Sequence, residues 1–184
     1  MERVRNETDE AKRKALKRQL PCFTPSGLFN RNGAGSLVRH SGFVCVDIDA
    51  KDNADVRYFS NLKNGIGGVP YVAYCGHSVS GKGFFCLIPI ADSSKHAEYY
   101  QSLVLDFKKC GITIDRACSN VCSKRFVSYD PEPYLNSDAW VYDRVLPPRQ
   151  WVSAQTPHPV FSSGGSGQRF QKVLEQIRFY GVDI

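Results

Sequence analysis

Two aspartates one residue apart, Asp47 and Asp49, close an apolar run that begins at Phe43. Side chains alternate faces along a strand, so both carboxylates share one face, while Val44, Val46 and Ile48 point the other way, toward a core. Adjacent carboxylates repel each other, and a divalent cation between them removes the repulsion. Oxygen-rich sites of this kind suit Mg²⁺ or Mn²⁺. The same residues also fit a strand that runs out into a polar turn, with Asp49 opening an Asx-type loop before Lys51 and Asn53. A third carboxylate, Asp115, follows another alternating apolar stretch from Ile112, and Asp115 with Arg116 equally fits a solvated turn.

Residues 76–83 approach the phosphate-loop pattern and depart from it twice. Gly83 stands where the pattern needs a hydroxyl residue, and the run from Phe84 to Ile90 reads as strand rather than helix, which excludes a P-loop ATPase. A short turn carrying Ser78, Ser80, Gly81, Lys82 and Gly83 can still hold phosphates through backbone N–H groups and an ammonium. An ordinary hairpin turn would use the same residue types. Arg125 opens a further apolar stretch. Its guanidinium is suited to bidentate contact with a triphosphate, or to a surface ion pair of little energetic weight. Three carboxylates and a basic loop are the parts that metal-assisted nucleotidyl transfer requires: cations at the attacking and leaving oxygens, and Lys and Arg against the triphosphate charge.

Positioning these groups needs a scaffold. Residues 4–19 read as a charged helix, with Lys12, Arg13, Lys14, Lys17 and Arg18 crowded together and Pro21 ending it. Lys12, Lys14, Lys17 and Arg18 are candidate nucleic-acid contacts, or a solubilising surface. Residues 24–35 are turn-rich. Strands are expected at 42–49, 70–75, 84–90, 112–115 and 125–128. One helix is expected to be capped by Asn53, with Val56, Phe59 and Leu62 inward. A longer one is expected to be capped by Ser93 or Ser94, with Tyr100, Leu103, Val104 and Phe107 inward, ending at Lys108, Lys109 and Gly111. The order β-α-β-β-α-β predicts an α+β fold of RRM-like (ferredoxin-like) type with a basic N-terminal extension.

A chain of 184 residues with 42% hydrophobic content suits one domain with a sizeable core. The formal charge of +6 leans toward a polyanionic partner. Seven cysteines, several within apolar runs, fit reduced thiols in a cytoplasm. Cys118 and Cys122, with Cys110 near, lack the second close pair that a zinc site would show. Nothing reads as a signal peptide or a membrane span, so no membrane partner is expected. Residues 1–146 read as the catalytic domain. Residues 147–167 read as a linker rich in Pro, Gly and Ser. Residues 168–184 carry a helical stripe (Phe170, Val173, Leu174, Ile177, Tyr180), read either as the start of a truncated helical domain or as a helix docking on the core.

The order of these segments resembles the archaeo-eukaryotic primase, or primase-polymerase, superfamily. The resemblance is carried by Asp47 and Asp49, then Ser78, Ser80, Gly81, Lys82 and Gly83, then Asp115, then Ser123 to Arg125 with Ser128, Asp130 and Pro131. It extends over roughly residues 12–184 and is nearest to the N-terminal domains of virulence-associated-E-type helicase proteins and to CRISPR-associated primase-polymerases. It implies that Asp47, Asp49 and Asp115 are catalytic and hold Mg²⁺ or Mn²⁺. It further implies that Ser78, Ser80, Gly81, Lys82, Gly83 and Arg125 bind the nucleotide. Many members carry a histidine on the strand after the Ser/Gly loop; here Phe84 and Phe85 stand there, with His77 as the nearby substitute. The implied partners are a single-stranded DNA template and primer, dNTP or NTP, and a downstream helicase or accessory domain. The alternative function is a non-catalytic module that holds single-stranded nucleic acid or a nucleotide for a helicase. A weaker one is a nuclease or nicking domain using the same carboxylates.

Overall fold

A single aspartate divides the helix expected over residues 4–19. In the computed structural model, which describes residues 1–146, Asp9 Oδ1 accepts hydrogen bonds from the Ala11 and Lys12 amides at 2.8 and 3.0 Å. That side chain caps a new helix start, so the chain forms α1 (Glu2–Asn6) and α2 (Glu10–Arg18) instead of one helix. The linker and the stripe expected over 147–184 lie outside the described residues.

The strands are β1 (Cys22–Phe23), β2 (Gly27–Phe29), β3 (Leu37–His40), β4 (Phe43–Asp49), β5 (Tyr74–His77), β6 (Gly83–Pro89), β7 (Arg125–Phe126) and β8 (Tyr134–Leu135). The central antiparallel sheet has the order β4-β6-β5-β8. β1 pairs with β7, and β2 with β3. Strict alternation along β4 separates two surfaces. Val44, Val46 and Ile48, with Phe84, Cys86 and Ile88 of β6, are fully buried. They pack in one core with Leu62 and Ile66 of α3 (Phe59–Gly67) and with Tyr100, Leu103 and Phe107 of α4 (His96–Lys109). Cys45, Asp47 and Asp49 take the opposite face, level with Leu87, Phe85 and Gly83. The chain is therefore a mixed α+β domain. Among the described residues no helix is long and apolar enough to cross a membrane.

Several elements differ from expectation for identifiable reasons. Asn53 caps no helix. Its Nδ2 donates to the Asp49 and Thr113 carbonyls, both at 2.9 Å, and its Oδ1 accepts from the Thr113 amide at 2.7 Å. The buried amide thus ties the end of β4 to residues 112–115, and α3 begins only at Phe59. Residues 112–115 form no strand, although the Asp115 amide donates to the Asp47 carbonyl at 2.8 Å beside β4. The strand expected over 70–75 starts at Tyr74, because the preceding apolar residues fold as a turn with Val72 N donating to Val69 O at 2.9 Å. The strand expected over 125–128 shortens to Arg125–Phe126 and joins β1 rather than the central sheet.

α4 is anchored on its outer side by a buried carboxylate. Asp106 accepts from Tyr142 Oη at 2.8 Å and pairs with Arg144 and Lys109. At its start, His96 Nδ1 lies 3.0 Å from His40 Nε2, and His40 Nδ1 accepts from the Gly42 amide at 2.9 Å. That second bond makes His40 Nε2 the donor and His96 Nδ1 the acceptor. Burial, then the charge of His40, pushes His96 down to about 4. Burial also lowers His40. Both rings are held neutral in the folded state, whereas an unfolded histidine titrates near 6.5. Their contribution is therefore complete above about pH 6.5 and is lost as the pH falls toward 4. Wild-type protein should lose about 1–2 kcal/mol more stability between pH 7 and 4.5 than His96→Gln, allowing for solvent screening. Thermal melts at each pH would read this, and identical slopes for the two proteins would contradict it.

Candidate functional site

The face of the central sheet opposite the helices carries the acidic residues. β4 places Asp47 and Asp49 there, and Asp47 meets Arg125 of β7, whose Nη1 donates to Asp47 Oδ2 at 2.5 Å. Arg125 is only 8% exposed. Its guanidinium lies 4.0 Å from the centroid of the Phe85 ring, which in turn packs on Tyr74 at 5.1 Å. A planar cation stacked on an aromatic face and paired with a carboxylate is the arrangement arginine suits better than lysine. Asp47 Oδ1 and Arg125 Nε are both shielded from solvent and have no hydrogen-bond partner among the described residues.

Asp49 sits at the mouth of the turn between β5 and β6. A Cβ built on Gly83 would lie 2.6 Å from Asp49 Oδ1 and 2.6 Å from the Ile48 carbonyl. Only glycine lets the carboxylate approach the strand this closely. The Ala50 amide donates to the Lys82 carbonyl at 3.1 Å, so the end of β4 and the turn are tied together. Burial, then the charge of Asp47 and more weakly those of Asp52 and Asp115, holds the Asp49 carboxyl above the usual range, against the lowering effect of Lys51. The Asp115 backbone lies against Asp47, but its Oδ1 accepts from the Ala117 amide at 2.9 Å. Among the described residues no group of three or more His, Cys, Asp or Glu side chains converges as a metal site.

The turn is closed by its own backbone. Ser78 N donates to Gly83 O at 2.8 Å and Gly81 N to Ser78 O at 2.9 Å, with Gly81 at φ 70°, in the left-handed region. Ser78 Oγ and Ser80 Oγ lie 3.2 Å apart, and Lys82 is exposed. Behind the turn, Asp130 Oδ2 accepts from His77 N at 2.8 Å and from Lys63 Nζ at 2.6 Å. Burial would raise the Asp130 carboxyl, but these bonds and one from the Glu132 amide outweigh it and keep it below the usual range. His77 pairs in register with Phe84, on the helix-covered face, so its ring is not aligned with Asp47 and Asp49. Phe85 holds the register position level with Asp47.

The basic helix divides among different roles. Lys14 pairs with Glu10 at 2.9 Å on the surface. Lys12 lines a cavity of about 460 Å³ between α1 and α2 with Arg3, Glu7 and Leu16, and none of Asp47, Asp49 and Asp115 lines it. Arg18 is exposed, while Lys17 is half-buried. Burial, then Arg13, lowers the Lys17 ammonium, and Asp49 and Asp47 act in the opposite sense, which puts Lys17 within their field. Cys118 takes no part in a cysteine cluster. Its Sγ lies 3.9 Å from Asp47 Oδ2, and burial, then the Asp47 charge, pushes the thiol up to about 12.

Composition and spacing did not reveal Phe85 as the platform for Arg125, although the alternation of Phe84 and Phe85 at the start of a strand carries that information. Lys63 of α3 is the partner of Asp130, a pairing across 67 positions with no local signal.

An α+β domain with paired strand carboxylates beside a Ser/Gly/Lys turn is the class defined by this geometry. The family model described as BT4734-like, N-terminal domain, matches residues 15–135, and the chain belongs to that family. No curated protein and no solved structure matches it.

The Asp47–Arg125 pair makes a direct prediction. Arg125→Met leaves the half-buried Asp47 without its cation and should cost about 1–3 kcal/mol. Adding Asp47→Asn should recover part of that loss, because the uncompensated charge is gone. A double-mutant cycle by urea denaturation should give a coupling of about 1–3 kcal/mol; additive losses would mean the two groups do not interact in solution.

Proposed function

We propose that this domain is a metal-dependent nucleotidyltransferase of primase-polymerase type, built on an RRM-like core, that extends or initiates strands on a single-stranded template. The observation that carries this reading is the placement of Asp49 against the Ser78–Gly83 turn, with Asp47 on the same strand face level with Phe85 and Asp115 on the adjoining segment. A pure binding surface for phosphate gains nothing from carboxylates held at its centre. The order of strands and helices from β4 to α4, with residues 112–115 beside β4, supports the RRM-like assignment.

The residues fit a hard divalent cation. Asp47 Oδ1 is a buried oxygen without a hydrogen-bond partner among the described residues, the donors are carboxylates, and Gly83 leaves the Asp49 oxygen room that any side chain would fill. Asp47 and Asp49, with Asp115, would hold Mg²⁺ or Mn²⁺, which when bound supplies charge stabilisation at the reacting phosphate and lowers the barrier for attack by a 3′-hydroxyl. The chain's own contribution is binding and orientation. The Ser78–Gly83 turn offers backbone amides and the Lys82 ammonium to the triphosphate. Arg125 fixes the Asp47 rotamer through Oδ2. Phe85 and Tyr74 hold the Arg125 plane and exclude water beneath it. On this reading Lys17 and the exposed Arg18 face the template side.

The second reading is a non-catalytic module that holds a nucleotide or a single strand for a helicase. Two observations favour it: Asp47 is already neutralised by Arg125, and Asp115 Oδ1 is occupied by a backbone amide.

Primer extension separates the two. With Mn²⁺, nucleotides and a primed single-stranded template, the wild-type domain should lengthen the primer, and Asp47→Asn or Asp49→Asn should reduce the rate at least about 100-fold. Asp49→Asn should also raise the melting temperature of the metal-free protein, since it removes repulsion from Asp47, and should abolish the rise that Mn²⁺ causes in the wild type. Template binding without extension, and no effect of Mn²⁺ on melting, would sink the transferase reading in favour of the binding module.

A further inference from the structure

Arg5 lies far from every catalytic segment in the sequence and against the phosphate turn in the structure. A Cβ built on Gly81 would sit 3.6 Å from both Cδ and Nε of Arg5. The Arg5 guanidinium donates through Nη2 to the Tyr129 carbonyl, which holds α1 over the turn. Its Nε is shielded from solvent and has no hydrogen-bond partner among the described residues. Among the described residues no carboxylate pairs with Arg5. Asp130, next to Tyr129 in the chain, is engaged by Lys63, His77 and Glu132.

We infer that Arg5 is a phosphate-binding residue of the nucleotide site, delivered to the Ser78–Gly83 turn by the N-terminal arm. This rests on the nucleotidyltransferase reading and extends it. A guanidinium has five N–H donors, and one carbonyl leaves most of them unused. Buried donors are normally satisfied, and the acceptors that belong beside an amide-lined turn carrying an ammonium are phosphate oxygens. Arg5 and Lys82 then approach the same phosphates from the arm and from the turn. The arm closes the phosphate end of the site, and the bond to Tyr129 presets the side chain before nucleotide arrives.

The rival role for Arg5 is a tether for α1 alone, and the test separates the two. Binding of dATP and of inorganic tripolyphosphate to the full chain is measured in Mn²⁺, together with melting temperature, for the wild type, Arg5→Gln, Arg5→Lys and Lys82→Ala. Arg5→Gln should weaken both probes about tenfold or more, since a charge-assisted bond is lost. Because the contact is to phosphate and not to the base, the two probes should weaken alike. Arg5→Lys should recover part of that affinity while melting as low as Arg5→Gln. If Lys82→Ala weakens binding but both Arg5 variants bind within twofold of the wild type and only melt lower, Arg5 is a tether and the inference fails while the nucleotide site stands. If the wild type binds neither probe, the nucleotide site and the role of Arg5 fall together.

Discussion

Everything at the site depends on the ion pair between Asp47 and Arg125. β4 delivers Asp47 half-buried to the face opposite the helices, where the cation that meets it is itself buried and needs a carboxylate in place of its lost hydration. Arg125 is that cation, and it is held by Phe85 below and by the β1–β7 ladder beside it. The pair therefore does more than neutralise one charge. It fastens the small β1–β7 sheet to the central sheet. The Val127 amide donates to the Pro21 carbonyl at 2.9 Å, so the chain leaving α2 is fixed by the same junction. A stack of Tyr74, Phe85 and Arg125 ending on Asp47 links the floor of the sheet to the N-terminal arm.

The second constraint is the proximity of Asp49 and Gly83. A strand and the turn it faces approach until a carboxylate oxygen occupies the space of a missing Cβ. Repulsion between Asp47 and Asp49 opposes this arrangement, and burial adds to the cost by favouring the protonated form of Asp49. Lys51, 3.9 Å from Asp49, is exposed and relieves little of it. Local destabilisation of this kind is found at sites that receive a charged ligand, and in the proposed transferase a hard cation would relieve it.

Parts of this architecture were legible in the amino-acid pattern because they are dictated locally. The alternation in Phe43–Asp49 assigns Val44, Val46 and Ile48 to the core and both aspartates to the other face. The spacing of Tyr100, Leu103, Val104 and Phe107 marks the buried stripe of α4, and Lys109 with Gly111 marks its end. Other parts were hidden because their causes are tertiary. Asn53 looks like a helix cap, and only the approach of Thr113 makes it a staple instead. Tyr71 and Val72 read as a strand by hydrophobicity, yet burial in a turn satisfies the same apolar demand. β7 and β8 are two residues long, too short for any periodicity, and β1 finds β7 across about a hundred positions. Arg5 carries no local signal at all, since nothing in α1 announces Gly81 or Tyr129.

The central claim is that β4 and the Ser78–Gly83 turn form one cation and phosphate site. Paramagnetic broadening by Mn²⁺ in the amide spectrum of ¹⁵N-labelled protein reads this directly, because relaxation falls steeply with distance from the ion. With dATP present and substoichiometric Mn²⁺, the account predicts that the amides of Asp47, Ile48, Asp49, Ala50, Lys82, Gly83 and Asp115 broaden first. The amides of Phe43 and Ile90, at the far end of the β4–β6 pair, should broaden last. Broadening centred elsewhere, or none at these amides, would contradict the account.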